Sequence, residues 1–390
     1  MIPRVLGDKL RSLAEVFPVL SVTGPRQSGK TTLVRSIFPH YAYVNLENLD
    51  DRFAAEEDPV RFLRAHAQTG VIIDETQKVP ALFSYLQGMV DESGAMGRYV
   101  LTGSQNFLLL ENITQSLAGR VAISHLMPFG IPELEAAGRL PENLDDLLLT
   151  GMYPVLYDRN VSPTDYFPSY IQTYIERDVR SITNVGNLST FQRFVKLCAG
   201  RVGQLLNLSG MGTELGINYK TVRSWISILE ASFIVFLLIP HHRNFNKRVV
   251  KQPKLYFYDT GLLCALLDIQ SASQLSTHYL RGQIFESMVV AEYLKLRFHM
   301  GRRSNAYFWR DNAGHEIDLL LEEGTDLRAV EIKSGETLHG EFFRGLAYFK
   351  RISEQPDDHF FLVYGGTGRQ SRKHGQVIGW RHVADLLPGG

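Results

Sequence analysis

The sequence predicts an α/β protein in several parts: a parallel-sheet domain, a helical connector, and a second, smaller α/β domain. Three observations predict it. Up to about residue 130, short apolar runs alternate with helical stretches, the pattern of a parallel sheet covered on both faces. One run leads directly into Gly24–Thr31, GPRQSGKT, which fits G-x-x-x-x-G-K-[ST] without a mismatch. Near the C-terminus, two strand-like runs carry Asp318, Glu331 and Lys333 at alternating positions between apolar residues.

A chain of 390 residues is long for one domain, so two or three are expected. Its 41 basic and 41 acidic residues give no global attraction for nucleic acid or an acidic membrane. Any such partner must be met by a local patch. Cys198 and Cys264 lie in apolar surroundings without metal spacing and read as buried thiols. Charged residues interrupt every N-terminal apolar run, and the longest greasy segment, Phe233–Pro240, is too short to span a bilayer. A cytoplasmic protein with no membrane partner is expected.

In the first domain (1–130), strands are expected at Val19–Thr23, Tyr41–Leu46, Val71–Asp74, Tyr99–Thr102 and Val121–Leu126. Helices fill the gaps at Gly29–Phe38, Pro59–Gln68, Pro80–Glu92 and about Phe107–Leu117, with Pro59 and Pro80 suited to first-turn positions. Gly24 and Gly29 let the loop Pro25, Arg26, Gln27 and Ser28 wrap until its N–H groups face phosphate oxygens. The helix start, with Lys30, Thr31 and Thr32, faces the same anion. Lys30 reaches the β- and γ-phosphates, and the Thr31 hydroxyl ligates Mg²⁺. The predicted ligands are therefore ATP and Mg²⁺.

The run GVIIDE (70–75) supplies the other half of such a site. Asp74 emerges at the strand's carboxyl end to hold Mg²⁺ through water, and Glu75 follows as general base. The next strand ends in Thr102, Ser104, Gln105 and Asn106. Ser104 is the first candidate for a γ-phosphate sensor and Asn106 the second, against a polar loop without duty. Arg120 reads two ways: as a γ-phosphate contact in cis or trans, or as a helix-end surface cation.

GPRQSGKTTL, VIIDETQKVP, LTGSQN and SLAGR, followed by GMYP (151–154) and YIERDV (174–179), resemble in order and spacing the AAA-like ATPases of bacteria and archaea that carry a C-terminal domain of unknown function. The resemblance covers most of the chain and implies an ATPase. It also implies that the segment around YIERDV packs near the ATPase domain. Residues 131–205 read as a helical connector with a break at Pro163 and Pro168. Glu176, Arg177 and Asp178 are there most simply a solvated, ion-paired face, with nucleotide gating as the other reading.

Residues 206–268 carry a helix, a turn at Gly216 and a second helix from about Asn218 to Glu230, the helix-turn-helix layout. Tyr219, Lys220, Thr221, Arg223 and Ser224 open the second helix, where such motifs contact DNA. Two strands, Phe233–Ile239 and Leu255–Tyr258, flank a loop (243–254) with Arg243, Lys247, Arg248, Lys251 and Lys254 and no acid. That combination suggests a winged helix presenting a basic wing to a duplex, or a fold that only packs domains together.

In the last part (269–390), Arg281–Phe298 reads as a helix bearing Glu286, followed by the strands AYFWRD, HEIDLLLEE and RAVEIKSGE. Period two sets Glu316 and Asp318 on one face of the middle strand, and Glu331 with Lys333 on one face of the next. Pairing them gathers Asp318, Glu331 and Lys333 at one sheet edge. The order Asp, Glu-x-Lys, with Glu286 on the preceding helix, resembles the PD-(D/E)XK nuclease core. The resemblance implies a second divalent metal, Mg²⁺ or Mn²⁺, on Glu286, Asp318 and Glu331, with Lys333 as the catalytic lysine. It departs from the pattern at Ile317, where the name motif has proline. The leading expectation is an Mg²⁺-dependent ATPase whose nucleotide state controls a DNA-directed domain, with or without nuclease activity. Two alternatives stand: an ATP-driven switch with a protein partner and an inert nuclease fold, and a DNA-binding regulator that cuts nothing.

Overall fold

Val19–Thr23 (β1), Ala42–Asn45 (β2), Val71–Asp74 (β3), Tyr99–Thr102 (β4) and Val121–His125 (β5) pair in parallel in the order β2-β3-β4-β1-β5. This is seen in a computed structural model that describes residues 2–103, 113, 116–179, 187–242, 245 and 249–387. β1, β3 and β4 are buried along their whole length, as parallel strands covered on both faces must be. Their alternation builds two cores. Leu20, Val22, Ile72 and Val100 meet Leu6, Leu10, Leu33 and Val34 on one face. Val19, Val71, Ile73 and Leu101 meet Leu82, Phe83, Leu86 and Val90 on the other. The expected strands match to within a residue or two at each end. The helices Leu6–Ala14 and Leu49–Glu57 were not anticipated, and the helix from Pro59 ends early, at Arg64. The helix expected around 107–117 falls mostly outside the described residues.

The chain divides into two units. The first holds this sheet: residues 1–129, with 231–233 and 298–302. The second holds 130–230, 234–297 and 303–390, so the three segments expected after residue 130 fall together in it.

Within the second unit, short helices run from Ile131 to Tyr170 and pass into wide helical turns at Ile171–Val179. Pro163 takes a first-turn position behind Ser162, whose hydroxyl accepts the Thr164 N–H at 3.2 Å. Pro168 does not end the helix as expected. It lies inside Pro163–Tyr170, and the wide turns begin only at Ile171. Leu208–Leu215 and Tyr219–Ala231 are joined through Gly216 at φ +68°, then comes a hairpin of Val235–Leu238 (β6) and Lys254–Phe257 (β7). Val222, Trp225, Ile226 and Leu229 are buried, whereas Tyr219, Lys220, Arg223 and Ser224 are exposed.

The long helix Arg281–His299 precedes a six-stranded sheet. Its strands are Ala306–Arg310 (β8), Glu316–Glu323 (β9), Asp326–Lys333 (β10), Phe360–Tyr364 (β11), Arg369–Arg372 (β12) and Gly375–Gly379 (β13), in the order β12-β13-β11-β10-β9-β8. β9 and β10 are antiparallel, with Val330 opposite Leu319. Continuing that register sets Glu331 opposite Asp318, the pairing expected from the sequence. β10 and β11 are parallel, linked through the helix Arg344–Ser353.

One glycine fixes the phosphate-loop geometry. Gly24 has φ +146°, and a Cβ there would collide with the carbonyl oxygen of Leu126 just after β5. Gly24→Ala is expected to lower unfolding free energy by about 2 kcal/mol or more, read from denaturant titration of the full chain. A loss under about 0.5 kcal/mol would mean that the loop can move away from Leu126.

Candidate functional site

The loop after β1 turns on Gly29, whose left-handed φ of +92° launches the helix Lys30–Ile37. The Lys30 ammonium folds back and donates to the carbonyls of Gly24 at 3.0 Å and Pro25 at 2.8 Å. Burial pulls this amine down to about 8, against the opposing pull of Glu75 and Asp74. Arg26, Gln27 and Thr32 are exposed and Ser28 is buried.

Asp74 is the hub opposite the loop. Its Oδ2 accepts from the Thr31 hydroxyl at 2.7 Å and the Tyr43 hydroxyl at 3.0 Å. Its Oδ1 accepts from the Thr102 hydroxyl at 2.5 Å and the Glu75 N–H at 3.1 Å. Thr102 reaches it because β4 lies between β1 and β3, a placement that strand prediction alone does not give. Glu75 sits in the left-handed region at φ +55°, and its carboxylate accepts from the Gln77 amide at 2.5 Å. Thr31 and Asp74 thus form a hard-oxygen pair under the phosphate loop, a donor set that suits Mg²⁺.

Ser104 and Asn106 lie outside the described residues. Arg120 precedes β5, and its carbonyl accepts the N–H of Val19 at the start of β1. That is the edge of the sheet opposite the phosphate loop, so Arg120 is out of reach of a nucleotide on its own chain. Its guanidinium instead makes a two-pronged pair with Asp91, at 2.6 and 2.8 Å.

Besides Tyr43 and Gln77, two more residues at this site were missed in the sequence. Arg4 donates to the Ser28 carbonyl at 2.9 Å and to the Met127 carbonyl at 2.5 Å, and lies over the Phe129 ring. It ties the phosphate loop to the last residues of the first unit. His125, at the end of β5, shares a 2.7 Å hydrogen bond with the Thr23 hydroxyl and packs against Phe233 and Phe298. Nothing local marks either residue, since each acts on a segment distant in sequence.

The second constellation lies in the second unit. Lys333 donates to Glu331 Oε2 at 2.7 Å and to Asp318 Oδ2 at 3.1 Å, and the Ile332 N–H donates to the same Asp318 oxygen at 2.8 Å. Burial, followed by the Asp318 charge, pushes Glu331 up to about 9. Asp318 stays below the usual carboxylate range: burial works to raise it, but Lys333, Lys254 and the Ile332 N–H outweigh that. The backbone of Gly345 lies so close to Glu331 that a Cβ there would collide with its carboxylate. These side chains border a cleft of about 330 Å³ with His315, Phe342 and Arg344.

Glu286 bonds a different lysine from the one that bridges Asp318 and Glu331. Its Oε1 accepts from Lys254 at 3.0 Å and from the Tyr256 hydroxyl. Lys254 also pairs with Glu316, whose other oxygen meets Arg310 at 3.2 Å. Among the described residues, no group of three or more carboxylate, imidazole or thiolate side chains is arranged to hold a metal ion. Here lysine ammonium groups pair with the expected ligands Glu286, Asp318 and Glu331. The basic wing changes as well. Lys254 is buried in the cluster, and Phe245 packs on Phe349 and Trp309. Of the loop's other cations, Lys251 is exposed, while Arg243, Lys247 and Arg248 lie outside the described residues, as do the side chains of Glu176, Arg177 and Asp178.

Burial holds His125 down to about 4, so the folded state favours the neutral ring. Its folded pKa lies below the unfolded value of about 6.5, so its cost to stability is absent above that pH and grows as pH falls toward 4. Between pH 7 and pH 5 the melting temperature of wild type should fall further than that of His125→Gln in scanning calorimetry. Equal falls would mean that the ring is solvated.

Comparison with known proteins agrees with the ATPase part of that reading. Residues 16–135 match the AAA domain and form an AAA-type P-loop ATPase domain, as the resemblance implied. Residues 141–273 and 281–383 match two domains of unknown function, DUF8612 and DUF4143. Uncharacterized protein Rv2008c of Mycobacterium tuberculosis and uncharacterized protein Mb2031c of Mycobacterium bovis are each 30% identical over 340 residues, 86% of this chain and 74% of theirs. The chain belongs to the family of these two proteins. Among solved structures, the Walker-type ATPase PABY2304 of Pyrococcus abyssi aligns at 14% identity and a TM-score of 0.42, over 67% of this chain and 94% of its own. No helix among the described residues is long and apolar enough to cross a membrane.

Proposed function

We propose that this member of the family is an Mg²⁺-dependent ATPase whose nucleotide state governs a DNA-directed second unit. The observation that carries the reading is the Thr31–Asp74 hydrogen bond beneath the phosphate loop, with Lys30 poised on that loop's own carbonyls. On binding, Lys30 exchanges two backbone carbonyls for phosphate oxygens, and the loop N–H groups and helix start hold the rest of the anion. Thr31 and Asp74 hold Mg²⁺, which neutralises phosphate charge when bound. Tyr43 and Thr102 fix the Asp74 carboxylate. Glu75 takes the proton of the attacking water, and its bond from Gln77 orients it. Arg4 gives the nucleotide a lever, because a shift at Ser28 is felt at Met127 and Phe129, where the first unit ends.

In the second unit, we read Leu208–Phe257 as a winged helix and the C-terminal sheet as a PD-(D/E)XK-like fold. The exposed Tyr219, Lys220 and Arg223 on the second helix support duplex contact. A second reading, an ATP-driven switch with a protein partner and an inert nuclease fold, is favoured by the packing of Phe245 and the burial of Lys254. Those side chains spend the loop on intramolecular contacts.

Lys30→Ala should weaken ATP binding by roughly two orders of magnitude, read by calorimetric titration. Glu75→Gln should keep near-normal affinity while steady-state hydrolysis falls about 10²–10⁴-fold. Equal turnover in wild type and Glu75→Gln would remove Glu75 from the mechanism.

Reversing Lys220 and Arg223 to Glu should weaken duplex binding. The slope of log affinity against log salt should flatten by about 0.9 for each phosphate that is no longer neutralised. An unchanged slope would favour the protein-directed switch.

A further inference from the structure

β7 delivers two residues of one face, Lys254 and Tyr256, into the carboxylate cluster. Lys254 is 3% exposed, and its ammonium bonds Glu286 at 3.0 Å and also Glu316, within the field of Asp318. One ammonium thus faces three carboxylates. Tyr256 donates to Glu286, Arg310 closes the far side of Glu316, and Lys333 bridges Asp318 and Glu331. Lys254, Lys333 and Arg310 therefore already pair with Glu286, Glu316, Asp318 and Glu331.

A divalent ion needs carboxylate oxygens at about 2.0–2.6 Å from a common point. In the cluster the Lys254 ammonium holds such oxygens by hydrogen bonds instead. An ammonium already on that point also repels a second cation in a setting where screening is weak.

We propose that Lys254 stands where the divalent cation of a metal-dependent nuclease fold would sit, as a built-in counter-ion that keeps the cluster closed to metal. The proposal rests on the nuclease-like reading of Asp318, Glu331 and Lys333 for the identity of the cation position. It makes β7 part of the C-terminal module, so a fragment that starts after residue 254 would lack the cation its carboxylates need.

The test uses the full chain without nucleotide and Mn²⁺ alone as probe, with free metal counted by electron paramagnetic resonance. Wild type and Asp318→Asn should titrate alike. Lys254→Met should gain one Mn²⁺ site, at least tenfold tighter than any difference between those two, and lose it when combined with Asp318→Asn. Its melting temperature should rise by several degrees in Mn²⁺ while that of wild type does not. A wild type that binds one more Mn²⁺ than Asp318→Asn overturns the proposal and leaves the nuclease-like reading standing. A folded Lys254→Met that binds no added Mn²⁺ overturns both. Lys254→Gln serves as the second variant. If neither variant folds even in Mn²⁺, the proposal fails, because the metal should then replace the missing charge.

Discussion

Asp74 places its carboxylate at the carboxyl end of a strand that is buried along its whole length. An unpaired charge there is costly, so four donors converge on it: Thr31, Tyr43, Thr102 and the Glu75 N–H. Each comes from a different place in the first unit. Thr31 belongs to the phosphate-loop helix, Tyr43 to β2, Thr102 to β4, and Glu75 to the turn after β3. The strand order β2-β3-β4-β1-β5 is what lets these reach one carboxylate. A nucleotide that moves Thr31 must therefore disturb a bond into the centre of the sheet, while Arg4 joins Ser28 to Met127.

The same rule, that buried charge is paired, shapes the second unit differently. Glu286, Glu316, Asp318 and Glu331 converge where the sheet meets the long helix, and the chain answers with lysine and arginine. Replacing one partner of such a network leaves another charge buried and alone, which typically costs about 3–5 kcal/mol. Those pairs tie β7 to the carboxylates of β9 and of the helix Arg281–His299. The helix-turn-helix segment and the C-terminal sheet accordingly belong to one unit, although they match separate families.

Much of both sites was legible because the relevant signals are local. Gly24–Thr31 must form a left-handed turn before a helix, and only glycine tolerates those backbone angles cheaply. The apolar run Val71–Ile73 followed by Asp74 reads as a buried strand ending at a ligand edge, and it is one. Alternation in β9 and β10 anticipated that Asp318, Glu331 and Lys333 would meet. Local signals misled where a residue's partner is remote. Lys254 looked like one of five exposed cations because its neighbours in sequence are polar and basic, and nothing nearby announces Glu286 or Glu316. Arg120 sits in a plausible motif, yet the direction of β5 carries it to the end of the sheet away from its own phosphate loop, which leaves the trans and surface-cation readings.

The sequence by itself determined the strands of the first sheet, the phosphate loop, the helix-turn-helix layout, and which carboxylates share a strand face. These follow from backbone sterics and from the two periodicities, 2.0 and 3.6, which act over a few residues. Tertiary structure alone decided that β4 lies between β1 and β3, that Arg4 and His125 brace the phosphate loop, and that Lys254 enters the carboxylate cluster. Strand order and long-range charge pairing depend on which buried groups find partners across the folded chain. That condition is met only once the whole core has closed, and no window of sequence contains it.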